Sequence, residues 1–111
     1  MNGLRDYRLY LSDIKEAIIK IQNYSKGSTL ESLKNDDKTY DSILLNFLII
    51  GEAAVKIPDE IKNKHTDIDW RGMIGMRNII AHGYFKIDPE IIWDSIHKDL
   101  PILLDSIIKI M

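Results

Sequence analysis

After Tyr7, apolar residues recur at Leu11, Ile14, Ile18 and Ile21, steps of four and three that lay one stripe along a helix of 3.6 residues per turn. The same period returns through Tyr40, Ile43, Leu44, Phe47, Leu48, Ile50, Gly51, Ala54 and Val55, and again through Trp70, Met73, Ile74, Arg77 and Ile80. No segment sustains a period of two, no Asn-Gly hairpin turn occurs, and no internal repeat is visible. The pattern therefore predicts an all-α fold, an antiparallel bundle of four to five helices. Its 111 residues make one domain, 1–111, long enough to bury a sizeable core.

Local signals set the boundaries. Gly27-Ser28 ends the first helix, 29–34 suits a short helical turn, and the aspartates of Asn35-Asp36-Asp37 can cap a long central helix over 37–56. Pro58 ends that helix, because its ring disfavours helical geometry at Ile57, and 59–64 reads as a short surface turn. Asp67 or Asp69 can cap a helix running from Trp70 to about His82. Gly83 is then free to turn left-handed, leaving Tyr84 just beyond the end. Asp88-Pro89-Glu90 is a helix start, with a capping aspartate, proline at the first position and an acid at the positive end of the dipole. The last apolar face runs from Ile92, Trp93, Ile96 and Leu100 past Pro101 to Leu104, Ile107, Ile108 and Met111, and Pro101 should kink or divide it.

Composition narrows the function. Cysteine is absent, which excludes disulfides, cysteine-ligated zinc and thiol chemistry and suits a reducing compartment. No apolar run approaches the roughly 20 residues needed to cross a bilayer, and Met1-Asn2-Gly3-Leu4-Arg5-Asp6 lacks the apolar stretch of a signal peptide, so a cytoplasmic location is expected. A net charge of −2 argues against coating nucleic acid through bulk electrostatics. Any RNA contact must be local.

The stretch Met76-Arg77-Asn78-Ile79-Ile80-Ala81-His82-Gly83-Tyr84 puts an arginine, an amide, a histidine and a tyrosine at one helix end. Arginine is a permanent cation shaped to grip phosphate, histidine moves protons near neutral pH, and tyrosine adds a modifiable hydroxyl. That combination points to phosphodiester chemistry. Neither His65, in a polar turn, nor His97, among Ser, Lys and Asp on a helix, makes a ligand spacing with His82, so no metal or cofactor is expected. Asn78 shares a helical face with His82 and could fix its ring's orientation or help bind a phosphate oxygen, whereas Arg77 lies about 140° around the axis from His82. One helix does not easily aim both at one atom. Two copies paired through this helix could, with two arginines and two histidines around one phosphate, and Met73, Ile74, Met76 and Ile80 would divide between core and dimer interface. Glu52 interrupts a long apolar stretch and is a supporting catalytic candidate, a partner for an arginine or a helix end, or a solvent-facing position. Gly51 suits close helix packing. Trp70 and Trp93 read first as apolar anchors.

The order Arg77, Asn78, three residues, His82, Gly83, Tyr84 resembles the signature of the HEPN superfamily of nucleases, in the form found in the HepT toxin branch. Other landmarks of that branch follow in order over nearly the whole chain: Ile50-Gly51-Glu52-Ala53-Ala54 before Ile57-Pro58, Trp70 leading into Gly75-Met76-Arg77-Asn78, Ile87-Asp88 before Ile92-Trp93, and Leu100-Pro101. The resemblance implies an all-helical homodimer that cuts RNA, transfer RNA or messenger RNA, without metal. It also implies the toxin half of a type VII toxin–antitoxin pair, silenced when a minimal nucleotidyltransferase antitoxin attaches AMP to the motif tyrosine. Carried over by position, Arg77, Asn78 and His82 are the catalytic set and Tyr84 the AMPylation target. The alternative is a non-catalytic partner of the nucleotidyltransferase that binds RNA or nucleotide, which the low net charge slightly favours. A purely structural helical dimer is a third reading.

Overall fold

Five of the seven described α-helices start where a side chain satisfies a free amide of the first turn. In the computed structural model, which describes residues 5–111, Asp6 accepts a hydrogen bond from the Arg8 amide at 3.0 Å and opens α1 (Tyr7–Ser25). Residues 1–4, where the sequence lacks a signal-like stretch, lie outside the described residues. The Arg8 guanidinium, followed by its amide, holds the Asp6 carboxyl down to about 2 from 3.8. A lowered folded-state value means that this cap stabilises above the unfolded value and is lost as pH falls. The expected result is that the Arg8 amide, followed by NMR, loses its helical shift and exchange protection between about pH 4 and 2. Unchanged protection down to pH 2 would exclude the cap.

Helix α1 buries Leu11, Ile14, Ala17, Ile18 and Ile21 and turns at Gly27, whose φ of 77° suits a residue without Cβ. Helix α2 (Leu30–Lys34) is closed by a reciprocal Thr29 and Ser32 capping box, so the short turn expected there is a helix. Helix α3 (Asp37–Lys56), capped by Asp36, packs on α1 and on α5 and is the centre of the bundle. It ends before Pro58, and α4 (Asp59–Lys64) follows on the surface. Of the two candidate caps, Asp69 opens α5 (Trp70–Gly83) by accepting from the Gly72 amide. A Cβ on Gly72 would lie 2.2 Å from the Asp69 carboxylate, so a larger residue there would make that side chain shift. Trp70 is a buried anchor whose indole N–H donates to the His65 carbonyl at 3.0 Å.

Two expectations need correction. Gly83 does not turn left-handed: its φ is −140°, α5 includes it, and the chain continues into a 3-10 turn over Tyr84–Lys86. The division near Pro101 comes earlier than the proline. Helix α6 (Pro89–Asp94), opened by Asp88 as expected, passes into a π-helical turn over Ser95–Asp99 before α7 (Leu100–Ile110). Proline has no N–H, and its ring would crowd the carbonyl four residues back, at His97. The wider turn, in which the Leu100 amide reaches the Ser95 carbonyl, reshapes the backbone ahead of that clash.

The core joins side chains of α1, α3, α5, α6 and α7, with Leu11, Ile14, Ile18, Ile43, Leu44, Ile80, Ile92 and Ile107 almost fully buried. No strand occurs among the described residues, and the architecture is an all-α bundle. No described helix is long and apolar enough to cross a membrane.

Candidate functional site

The contact between α3 and α5 depends on one missing methyl group. A Cβ on Gly51 would lie 2.1 Å from the Cβ of Arg77 and 2.9 Å from the Met73 carbonyl oxygen, distances no folded backbone tolerates. With glycine there, Arg77 leaves α5 across the surface of α3. Its Nε donates to Glu52 Oε1 at 2.6 Å, and its Nη1 donates to Asn78 Oδ1 at 2.9 Å. The pair is 32% and 49% exposed, where ion pairs contribute only about 0.2–1 kcal/mol. Its effect is therefore on direction: Glu52 holds one edge of a flat, permanently charged group and sets where the other edge points.

Glu52 thus serves as the arginine's partner, one of the readings open from sequence. Asn78 lies beside Arg77 and is bonded to it, and among the described residues no hydrogen bond joins it to His82. The amide that could have oriented the histidine orients the guanidinium instead. His82 itself is exposed in the last turn of α5, and no hydrogen bond holds its ring among the described residues. Five residues separate it from Arg77, about 7.5 Å along the axis and about 140° around it. In one copy of the chain, then, the Arg77 guanidinium lies towards α3 and the His82 imidazole is exposed.

Tyr84 closes the far end of the site. The 3-10 turn brings its hydroxyl to Asp41, to whose carboxylate it donates. Because Asp41 meets Tyr84 while Gly51 meets Met73 and Arg77, α3 and α5 run antiparallel. The Asp41 hydrogen bond, then partial desolvation, then the charges of Asp41 and Asp37, raise the Tyr84 phenol above its ordinary value and keep its proton on. Neighbouring Tyr40 is also raised, by burial first and then by Asp88 and Asp41, and its hydroxyl is buried without a hydrogen-bond partner among the described residues. Asp41 escaped the sequence reading. It lies forty-three positions from Tyr84, and an exposed acid in the second turn of a helix carries no signal of that contact.

Other expected positions settle simply. His65 is half-buried and gives its carbonyl to Trp70, while His97 is exposed with its ring 4.1 Å from that of Trp93. Met73 and Ile80 are buried in the core, and Ile74 and Met76 pack partly buried against it. The apolar side chains left exposed near the site are others: Leu45 and Ile49 on α3, and Ile79 on α5.

Residues 14–110 match the family described as Ribonuclease HepT-like. The chain is 36% identical over 99 residues to the "Probable ribonuclease HepT" of Thermococcus cleftensis, covering 89% of this chain and 90% of that protein. It is 33% identical over 97 residues to the "Putative RNase MJ0127" of Methanocaldococcus jannaschii, covering 87% of this chain and 80% of that one. A longer protein of the same organism, "Gamma-glutamylcyclotransferase and putative RNase MJ0434", is 34% identical over 107 residues, which are 96% of this chain and 48% of the longer one. No solved structure gives a significant match.

Proposed function

The chain belongs to the HepT-like ribonuclease family, and on that premise we propose that it is a metal-independent endoribonuclease, the toxin of a type VII pair, working in the cytoplasm. Arg77, Asn78 and His82 form its catalytic set. The observation that carries this reading is the division of labour on α5: an arginine held by Glu52 and Asn78, and an exposed histidine on the adjoining face. His82 takes the proton from a ribose 2′-hydroxyl as that oxygen attacks the adjacent phosphorus, and Arg77 stabilises the charge gathering on the phosphoryl oxygens. The 5′-oxygen leaves, and a 2′,3′-cyclic phosphate remains.

The divergence of Arg77 and His82 within one copy supports a homodimer in which two α5 helices line one cleft. Exposed Leu45, Ile49 and Ile79 supply apolar surface for it, in place of the buried Met73 and Ile80. The test uses a short RNA cut by the wild-type protein. Cleavage is expected to leave cyclic phosphate ends, to persist in excess chelator, and to vanish when the ribose at the cut site is replaced by deoxyribose. Cutting of the deoxy-substituted strand, or complete inhibition by chelator, would remove the scheme.

Tyr84 is the switch in this reading, modified with AMP by a minimal nucleotidyltransferase antitoxin. An added adenylyl group brings bulk and a negative charge to the end of α5, beside the exposed His82, where it obstructs and repels a substrate phosphate. Tyr84→Phe is expected to keep cleaving RNA while gaining no AMP by intact mass and escaping neutralisation by the antitoxin. A Tyr84→Phe protein that still acquires AMP and is silenced would place the modification elsewhere.

A further inference from the structure

We propose that Asp41 is the general base for nucleotidylation of Tyr84, so that this chain brings to its own modification the group that removes the phenolic proton. The inference rests on the reading of Tyr84 as the modified residue and adds the chemistry of that step. Its basis is the hydrogen bond from the Tyr84 hydroxyl to the Asp41 carboxylate across the α3 and α5 contact. A phenol is a poor nucleophile while its proton stays on, and a carboxylate already accepting that hydrogen bond can take the proton as the new bond forms. Protein kinases use an aspartate towards substrate hydroxyls in this way.

The Tyr84 oxygen attacks the α-phosphorus of a nucleoside triphosphate presented by the transferase, and the oxygen–phosphorus ester bond forms. The bond between the α-phosphorus and the bridging oxygen breaks, pyrophosphate leaves with that electron pair, and the phenolic proton passes to Asp41. No phenolate stands ready beforehand, because Asp41 and the nearby Asp37 hold the Tyr84 proton on more firmly than in a free tyrosine. Proton loss therefore has to accompany attack, the situation in which a positioned base matters most.

The same contact distinguishes Tyr84 from the other tyrosines. Tyr40 has its hydroxyl buried, Tyr7 and Tyr10 are half-buried, the latter with the Arg5 guanidinium over its ring, and Tyr24 is exposed. Among the described residues, Tyr84 alone combines an exposed side chain with a hydroxyl bonded to a carboxylate. A transferase docking at this end of the bundle meets one tyrosine with its base in place.

The test mixes the full chain with a purified minimal nucleotidyltransferase, ATP and magnesium, and follows AMP addition by intact mass. Wild type is expected to be labelled and Tyr84→Phe to stay unlabelled. Asp41→Asn keeps an oxygen acceptor for the hydroxyl but cannot take the proton, and its labelling rate should fall by about 10²- to 10⁴-fold. Asp41→Ala should be equally slow and regain rate as formate is added, a response that a merely structural contact would not give. Labelling of Asp41→Asn at the wild-type rate, or an Asp41→Ala protein indifferent to formate, overturns the assignment of the base while leaving Tyr84 as the target. A wild-type chain that stays unlabelled overturns both. Asp41 is exposed, and circular dichroism melting checks that each variant remains folded.

Discussion

His82→Ala is expected to lower RNA cleavage by about 10²- to 10⁴-fold while leaving the melting temperature within error of wild type. The two halves of that expectation have separate causes. The imidazole is the proton acceptor in the proposed cleavage step, so its removal takes away general base help. It is also exposed in the last turn of α5 without a hydrogen bond holding it among the described residues, so its removal costs the bundle little. A variant that still binds RNA but no longer cuts it separates an enzyme from a binding module, which would scarcely register the change. Mixing sharpens the result. Arg77→Ala and His82→Ala proteins, each inactive alone, should recover cleavage when unfolded together and refolded, because a mixed dimer then has one arginine and one histidine at the shared cleft. If each copy used its own pair, neither subunit of the mixed dimer would be intact, and no activity would return.

Gly51→Ala is expected to be costly in both stability and activity, although it adds a single methyl group. That methyl would be placed 2.1 Å from the Arg77 Cβ and 2.9 Å from the Met73 carbonyl oxygen, both close to a helical backbone with little freedom to yield. Overpacking of this kind costs about 1–3 kcal/mol. Each kcal/mol lowers the melting temperature by about 4–8 °C in a domain near this size. Pushing α5 away from α3 also separates Arg77 from Glu52, so cleavage should fall even at temperatures where the variant is fully folded. The check is thermal melting beside RNA cleavage at a temperature well below the transition. Wild-type melting and wild-type cutting together would show that the helices do not approach as closely as the contact requires.

Glu52 and Asp41 show where reading from sequence stops. Both are exposed acids on α3, and in the linear chain neither differs from a solvated surface residue. Glu52 stands out in sequence because it breaks an apolar run, and an arginine is one partner that suits it, yet nothing local says that the arginine is Arg77, twenty-five positions away. Asp41 left no trace at all. Asn78 illustrates the opposite error. Its spacing from His82 is right for contact on an ideal helix, but Arg77 next to it bends back to take the amide oxygen. Periodicity places side chains on a face without saying which neighbour captures them.

The helical architecture and the inventory of chemical groups are legible in the linear chain. Caps at Asp36, Asp69 and Asp88 act within a few residues, as does the apolar stripe of each helix, so local physics is enough to read them. The tertiary structure alone decided which groups meet. The approach of α3 to α5 at Gly51 brings Glu52 to Arg77 and Asp41 to Tyr84. Contacts between distant segments form when apolar faces are buried together, and the polar pairs at the edges of those faces follow from the geometry of burial, which no single stretch of chain contains.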